Sequence, residues 1–456
     1  MSKIIDRHTA SIVITCTAGL LLLLLSPSCA PPTLVVPELV AVATGETEPS
    51  ATVDPTPSPA PDATQAHPQE TSTPEESFPI QLTMWTIEQI SPQAEGEAGD
   101  ILAKGLKAFE DTHPDVQISV VLKNESGKGS VLDYLRTASQ VAPDVLPDLV
   151  VLNTVDLTAL ARAGLVVPLN GRVSSTLAKD LLPGARAAGS VDNQLVGIPF
   201  EMDVEHLIYN TNKLVTAPMD WTDVISSNTT YVFPAKGRNG LVNDAFLIQY
   251  LALGGRLQDD EGQPFIDKQS LRAVLGYYRQ GTEQGVIPPD VLSIATPDDI
   301  WPSYVAAEVG MAHVSSHRFL TDREVLRSTQ FAAIPTSDGV SLTIGRGHAL
   351  AVVTRDPTRQ SLALSLVEYL MEPDNNAEWN QARAYLPTRY AVFDAIGESD
   401  PYWAFLKHQL EVAVPPPSFP EYDQIGRVLQ QAVIEVLSGE ATPEEATDAA
   451  VNTLIP

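Results

Sequence analysis

Residues 193–214 read NQLVGIPFEMDVEHLIYNTNKL, the most specific stretch of this chain for its fold. A Gly-Ile-Pro-Phe segment leads into Glu201 and Asp203, which flank one methionine. In an extended chain, side chains two residues apart point to the same face, so the two carboxylates form one polar patch. We expect this pair to bind hydroxyl groups of a small ligand. A solvated pair in a loop is the alternative.

On both sides of this stretch, strand patterns alternate with helix patterns. Apolar residues alternate in IQLTMWTI at residues 80–87, which predicts a strand, and PDLVVLN at residues 147–153 is typical of a short buried strand. Between them, an apolar stripe with helical spacing begins at Ile101. HALAVVT at residues 348–354 predicts a later strand. This alternation predicts an α/β fold with a largely parallel sheet.

Composition bounds the class of protein. The 456 residues carry 28 Lys plus Arg against 57 Asp plus Glu, a formal net charge of −29. Such a surface repels phosphate backbones and no basic patch offsets it, which argues against nucleic acid as a partner. The length suits two lobes. Both cysteines, Cys16 and Cys29, precede residue 30, so the body has no disulfide framework and no thiol for a metal or a nucleophile.

The N-terminus has the pattern of an export signal. Lys3 and Arg7 precede an apolar run at residues 11–25, which is shorter than the ~20 apolar residues of a spanning helix. We therefore predict a signal peptide over residues 1–29, with an uncleaved signal anchor as the alternative. Cys29 after the run resembles the lipidated cysteine of bacterial lipoproteins, and Ser28 suits the position just before cleavage, although Ser26 and Pro27 depart from the usual pattern. The resemblance implies a lipid anchor to the membrane; an incidental cysteine is the other interpretation.

Residues 30–79 contain no Lys or Arg and are dominated by Pro, Thr, Glu and Ala. A segment of this composition cannot bury a core, so we predict disorder with polyproline II character. At about 3.1 Å per extended residue, some 50 residues reach at most ~150 Å. The segment is predicted to act as a tether between the membrane and the folded body.

The order of segments from residue 80 to residue 456 resembles family 1 of the extracellular solute-binding proteins, the group containing the maltose-binding type. No single segment is decisive, but their order is. The matching segments are LTMWTIEQI (82–90), LPDLVVLNTVDLTALARAGLVVPL (146–169), NQLVGIPFEMDVEHLIYNTNKL (193–214), YVAAEVGMAHVSS (304–316), LTIGRGHALAVV (342–353), LVEYLMEPDNNAEWN (366–380) and YLPTRYAVF (385–393).

The resemblance implies a two-lobed clamp of the periplasmic-binding-protein type II class, each lobe a mostly parallel sheet flanked by helices. Its N-terminal lobe would comprise residues 80–203 and 348–385, and its C-terminal lobe residues 204–347 and 386–456. The chain would cross between lobes near residues 203–205, 345–348 and 386–388, with the ligand in the cleft. The implied protein is a monomer without a cofactor that delivers a carbohydrate to the membrane permease of an ABC importer.

Candidate ligand contacts come from strand ends, predicted crossings and family positions. They are Trp85, Thr86, Asn153, Glu201, Asp203, Tyr209, Ser315, His317, Gly345, Arg346 and Tyr385. Several have a structural alternative: Trp85 as core, Asn153 as a helix cap, Tyr209 as core and Arg346 as a rim charge. His317 stands where the family commonly has a tryptophan, which weakens a simple picture of a sugar stacked on an aromatic ring.

Two other functions stay open from the sequence. Arg346 and His317 keep a non-sugar solute possible, such as a polyamine, a polyol phosphate or another small anion. A secreted glycoside hydrolase would use a carboxylate pair to cut what it binds. However, the chain has no phosphate loop, no H-E-x-x-H zinc motif and no G-x-S-x-G elbow, so no catalytic site and no metal site are predicted.

Overall fold

A computed structural model describes residues 79–397 and 399–454. The predicted signal peptide, the lipidation site at Cys29 and all but the last residue of the predicted tether lie outside these described residues. In the part of the chain that is described, no helix has the length and the apolar character that crossing a membrane requires.

The strands of the described residues follow in chain order. They are β1 (Ile80–Thr86), β2 (Val116–Leu122), β3 (Leu149–Asn153), β4 (Ser190–Val191), β5 (Gln194–Leu195), β6 (Ile198–Asn210), β7 (Tyr231–Val232), β8 (Met311–Ser315), β9 (Thr329–Ala332), β10 (Thr343–Val352) and β11 (Ala413–Val414). The strands predicted at residues 80–87, 147–153 and 348–354 are confirmed, and the last of these is part of the longer β10.

The α-helices of the described residues surround these strands. They are α1 (Glu97–Thr112), α2 (Val131–Val141), α3 (Leu157–Arg162), α4 (Ser175–Asp180), α5 (Pro183–Ala188), α6 (Trp221–Ser226), α7 (Asp244–Ala252), α8 (Lys268–Glu283), α9 (Trp301–Val305), α10 (Ser316–Asp322), α11 (Pro357–Leu370), α12 (Pro373–Arg383), α13 (Tyr390–Ile396), α14 (Pro401–Val412), α15 (Tyr422–Leu437) and α16 (Pro443–Leu454).

One large sheet runs in the order β2-β1-β3-β10-β6-β8-β7, with β11 beside β10 and β9 beside β6; β4 and β5 form a separate hairpin. The pairs β1–β2, β1–β3, β7–β8 and β10–β11 are parallel. Parallel neighbours need a long crossover, and α1 and α2 supply it for β1, β2 and β3. The central strands β6 and β10 run antiparallel to each other and to their other long neighbours. The predicted α/β fold class is confirmed.

Strands β6 and β10 connect two hydrophobic cores. At about 3.3 Å per residue, the 13 residues of β6 extend ~40 Å. Its first buried side chains, Ile198 and Phe200, belong to the core around β1 and β3, whereas Met202 and Val204 belong to the core that contains α7, α8 and α15. The change of core therefore falls between residues 200 and 202, where the chain must pass from one group of packed elements to the other.

A third segment accompanies this passage. Leu386 and Met202 exchange two backbone hydrogen bonds of 2.7 and 2.9 Å, and the Thr388 hydroxyl donates to the Pro199 carbonyl oxygen, so residues 386–388 lie beside β6. Helix α5 also packs here: Leu182, at its start, lies in the same core as Met202. A Cβ at Gly184 would stand 2.4 Å from the Leu410 carbonyl oxygen, so α5 needs glycine to approach α14 this closely.

Candidate functional site

A cavity of about 570 Å³ lies against the middle of β6 and the first half of β10. Five of the predicted contact residues line it: Asp203, Ser315, His317, Arg346 and Tyr385. Lining residues without a sequence-based prediction are Val155, Val204, Glu205, Pro234, Arg238, Asn239, Leu241, Val242, Asn243, Asp244, Ala295, Thr296, Pro297, Asp298, Ile344, Pro416, Pro417, Tyr422 and Asp423.

Helix starts hold much of this lining in place. Ser315 caps α10, because its hydroxyl accepts a hydrogen bond from the Arg318 backbone N–H at 3.1 Å. Asn243 caps α7 in the same way, with its Oδ1 accepting from the Phe246 N–H at 2.9 Å. The two caps bring the first turns of both helices, and the polar side chains on those turns, to the edge of the cavity.

Asp203 is held by neutral donors. Its Oδ1 accepts from the Ser316 hydroxyl at 2.6 Å and from the His317 backbone N–H at 3.0 Å. Burial raises the pKa of the Asp203 carboxyl, and these hydrogen bonds oppose the rise only in part. The carboxyl is therefore a strong acceptor whose charge is incompletely compensated by the protein.

Arg346 lies directly opposite Asp203 across β10 and β6, yet its side chain reaches another acid. Its Nε and Nη2 donate to the two carboxylate oxygens of Asp244, both at 2.6 Å. Although burial opposes the charged form, Asp244 raises the pKa of Arg346. Asp244 is the first residue of α7, where a negative charge is favourable. The bidentate pair fixes the guanidinium at one side of the cavity.

His317 and Tyr385 form a stacked pair on the cavity wall. Their ring centroids lie 4.4 Å apart at an interplanar angle of 26°, and His317 Nδ1 lies 3.2 Å from the Ala384 carbonyl oxygen. Ala384 ends α12 in a left-handed conformation (φ 53°), which turns Tyr385 toward the cavity. The Arg383 guanidinium lies 4.9 Å from the Tyr385 ring centroid. Burial raises the pKa of Tyr385, so the phenol stays neutral and can donate a hydrogen bond.

Glu205 is a cavity carboxylate that the sequence analysis missed. It is two residues beyond Asp203 on β6, so the same alternation that paired Glu201 with Asp203 would have found it. Its Oε2 lies 3.2 Å from Nδ1 of the buried His313, whose Nε2 is 2.6 Å from the Tyr231 hydroxyl. By contrast, no local pattern marks Asp244 or Tyr422, which reach the cavity through helix packing.

Glu201 occupies a different environment from its predicted partner. It is fully buried (0% exposed) and does not line the cavity. Its carboxylate accepts from Trp379 Nε1 at 3.0 Å and from the Arg383 guanidinium at 3.3 Å, and lies 3.0 Å from His348 Nδ1. Although burial opposes protonation of His348, Glu125 and Glu201 raise its pKa to about 9. His348 is therefore charged at neutral pH and forms a buried ion pair with Glu201.

The remaining predicted residues lie in packed positions outside this cavity. Trp85 is buried with its ring edge against Tyr134, at 6.1 Å between centroids. The Thr86 hydroxyl donates to the Ile90 carbonyl oxygen, and Asn153 accepts from the Val155 N–H as the cap of a short 3₁₀ turn. Tyr209 is buried in β6 opposite Met311.

Gly345 lies where β10 approaches β6 closely. A Cβ on this glycine would stand 2.9 Å from the Met202 Cε, so the position has little room for a side chain. As for metals, the described residues include no group of three or more His, Cys, Asp or Glu side chains that could hold an ion. The chemistry available at the cavity is hydrogen bonding, ion pairing and ring packing.

Comparison with known proteins places the chain. Three similar solved structures are the cyclic α-maltosyl-1,6-maltose binding protein of Arthrobacter globiformis (TM-score 0.68, 19% identity, 82% of this chain and 98% of that one), the sugar-binding protein MalE of Xanthomonas citri (0.68, 19%, 82% and 96%) and maltose-bound MalE3 of T. maritima (0.63, 20%, 82% and 98%). These similarities show the two-lobed binding-protein fold.

The family model described as bacterial extracellular solute-binding protein matches residues 104–405. This chain therefore belongs to the bacterial extracellular solute-binding proteins, a family of binding proteins that work outside the cytoplasm.

Proposed function

We propose that this protein is the carbohydrate receptor of an ABC importer. The observation that carries the proposal is the cavity of about 570 Å³ beside the two connecting strands, which combines ring faces with charged hydrogen-bonding groups. Its volume is typical of small-molecule sites, which span about 300–1,000 Å³. The solved structures named above include sugar-binding proteins of the same fold, which supports a sugar as the solute class.

A sugar has two kinds of surface, and the cavity offers a match for both. The rings of Tyr385 and Tyr422 and the apolar side chains of Pro416 and Pro417 suit the C–H faces of a pyranose. Asp203 and the other charged groups suit its hydroxyls, because carboxylates accept and guanidiniums donate hydrogen bonds. A ligand held this way is oriented by polar contacts and desolvated by the apolar ones.

Binding requires no covalent chemistry. Contacts that form only when two lobes close around a ligand stabilise the closed state, so the ligand shifts a hinge equilibrium. The connecting strands β6 and β10, with residues 386–388 beside β6, are the segments about which such a motion would occur. The family consists of binding proteins, and we propose that this chain, too, is a receptor and not a glycoside hydrolase.

We also propose that the protein is exported, lipidated at Cys29 and held at the membrane by residues 30–79, where it delivers solute to a permease. Metabolic labelling with a palmitate analogue tests this part. The label should appear on the wild-type protein and be absent from Cys29→Ala. Equal labelling of the two would exclude Cys29 as the anchor.

A small anion fits the cavity less well than a sugar. The guanidinium of Arg346 already forms two hydrogen bonds with the Asp244 carboxylate. Because this carboxylate neutralises its charge, Arg346 would attract a phosphate or a carboxylate only weakly. Among the lining residues, carboxylates outnumber guanidiniums, which repels anions further. A polyol phosphate or another small anion should therefore bind this cavity less tightly than a sugar.

Isothermal titration calorimetry on the full-length protein tests the solute class. We expect at least one mono- or oligosaccharide from a broad panel to bind with a Kd of roughly 1 μM, about −8 kcal/mol. Tyr385→Ala should weaken that binding at least tenfold because it removes a ring face. Binding of a polyol phosphate, with no response to any sugar, would contradict the proposal.

A further inference from the structure

Asp203 does not form an ion pair with Arg346, the base directly opposite it in the sheet. Directly opposite residues of an antiparallel pair lie close enough for opposite charges to interact. Arg346 is directly opposite Asp203, but its guanidinium makes a bidentate contact with Asp244 on α7. Asp203 instead accepts from a hydroxyl and a backbone N–H. Within residues 79–397 and 399–454, no Lys or Arg side chain forms an ion pair with it.

Glu205 brings a second carboxylate to the same wall. Residues two apart on a strand project from one face about 6.6 Å apart, and both Asp203 and Glu205 line the cavity. The nearest base to Glu205 is His313, at 3.2 Å. Ionised carboxylates only accept hydrogen bonds, so this wall needs donors, and preferably positive charge, from whatever fills the cavity.

Asn243 is an independent sign that a ligand completes the site. It lines the cavity and is only 7% exposed. Its Oδ1 is used in capping α7, but its Nδ2 has no hydrogen-bond partner in the described structure. A buried amide N–H without an acceptor is unfavourable, so an oxygen of the ligand is expected to accept from it.

These features together favour a ligand that has a positive charge near the two carboxylates and an oxygen acceptor near Asn243. We propose that the solute is an amino sugar, whose protonated amine binds between Asp203 and Glu205 while one of its oxygens accepts from Asn243. This proposal rests on the proposed function and specifies its substrate class. A neutral sugar would supply donors but no charge, whereas charge-assisted hydrogen bonds are roughly twice as strong as neutral ones.

The test is calorimetry of the full-length protein with glucose- and glucosamine-based mono- and disaccharides, each in amine, N-acetyl and hydroxyl form. We expect the amine form to bind at least tenfold tighter than the matching hydroxyl and N-acetyl forms at pH 6.5. Asp203→Asn and Glu205→Gln should each reduce that preference at least fivefold. Asp111→Asn, an exposed acid on α1, should leave it unchanged and controls for net charge.

The outcomes separate the two proposals. If sugars bind but the amine form is no tighter than the hydroxyl form, the amino-sugar inference is wrong and the carbohydrate receptor stands. If no sugar of any form binds, both are wrong. If the preference exists but survives both carboxylate variants, with native circular dichroism for each, the site assigned to the amine is wrong.

Discussion

Strands β6 and β10 carry two acid–base pairs, each with an acid on β6 directly opposite a base on β10. The two pairs differ in whether the base contacts the acid opposite it. Glu201 is opposite His348, and Asp203 is opposite Arg346. In the first pair the base contacts the acid opposite, with His348 Nδ1 3.0 Å from Glu201 Oε1. In the second pair the base turns away and contacts Asp244. Glu201 and Asp203 are thus two residues apart on one strand, but only the Glu201 carboxylate has cationic hydrogen-bond donors; those of Asp203 are neutral.

Under the proposed function, the difference corresponds to a division of roles in which Glu201 serves stability and Asp203 serves binding. The Glu201 carboxylate is fully buried and surrounded by donors from β10 and α12, so it connects the central strands to a helix. Asp203 borders the cavity and receives only neutral donors. A carboxylate whose bonds are complete has nothing to offer a ligand, whereas an incomplete one does.

The largest expected effect comes from breaking the first pair. Glu201→Gln would remove the carboxylate partner of Arg383 and leave His348 with Glu125 alone, and breaking a buried ion pair in this way costs about 3–5 kcal/mol. Urea unfolding followed by circular dichroism measures it as a fall in the free energy of unfolding. Glu95→Gln, an exposed acid before α1, is the control and should change stability by less than about 0.5 kcal/mol. A loss below about 1 kcal/mol for Glu201→Gln would show that the ion pair is not structural.

The same pair predicts how stability depends on pH. Burial lowers the pKa of His348, but the carboxylates of Glu125 and Glu201 outweigh it and raise the pKa to about 9, above the ordinary 6.5. The His348 contribution, roughly 3 kcal/mol from this shift, is therefore complete below pH 6.5 and lost as pH rises through 9.

Unfolding free energies at pH 6, 8 and 10 test that dependence. The wild type should lose stability steadily above pH 7, and His348→Gln should be less stable at pH 6 but flatter between pH 7 and 10. If the variant keeps the wild-type slope, another group titrates in this range and His348 is not the cause.

The sequence predicted the positions of the two acids on one strand but not the side chains that contact them. Alternation along residues 193–214 correctly marks Glu201 and Asp203 as neighbours on a strand. Their partners were out of reach, because Asp244, Trp379 and Arg383 come from helices distant in the chain. Local patterns report the periodicity of a segment but do not state which face another element covers.

The same limit explains other candidate positions. Trp85 and Asn153 were predicted from strand ends, where loops of α/β folds often bind ligands. In the structure, Trp85 packs against Tyr134 and Asn153 caps a turn, and each of these alternatives was open from the sequence. The order of elements, by contrast, depends on patterns within segments, and the strands predicted from those patterns are confirmed.

A smaller effect is expected from redirecting Arg346. In Asp244→Asn the guanidinium loses its bidentate partner and can turn to Asp203, the acid directly opposite. A new cation within contact distance should lower the pKa of the Asp203 carboxyl by about one unit or more. Carbon-13 NMR titration of the aspartate carboxyls measures this shift. Asp260→Asn, which removes an exposed partner of Arg256, should leave the Asp203 titration unchanged. An unchanged pKa in Asp244→Asn would mean that Arg346 is held by other groups.

The smallest effect on stability is expected from Asp203→Asn in the absence of ligand. The amide oxygen can still accept from Ser316 and the His317 N–H, and the substitution removes a charge that burial already disfavours. The free energy of unfolding should therefore change by less than about 1 kcal/mol. Measured in urea beside Glu201→Gln, this variant isolates what each carboxylate does. If Asp203→Asn were as destabilising as Glu201→Gln, both acids would be structural, and a division between stability and binding along β6 would not hold.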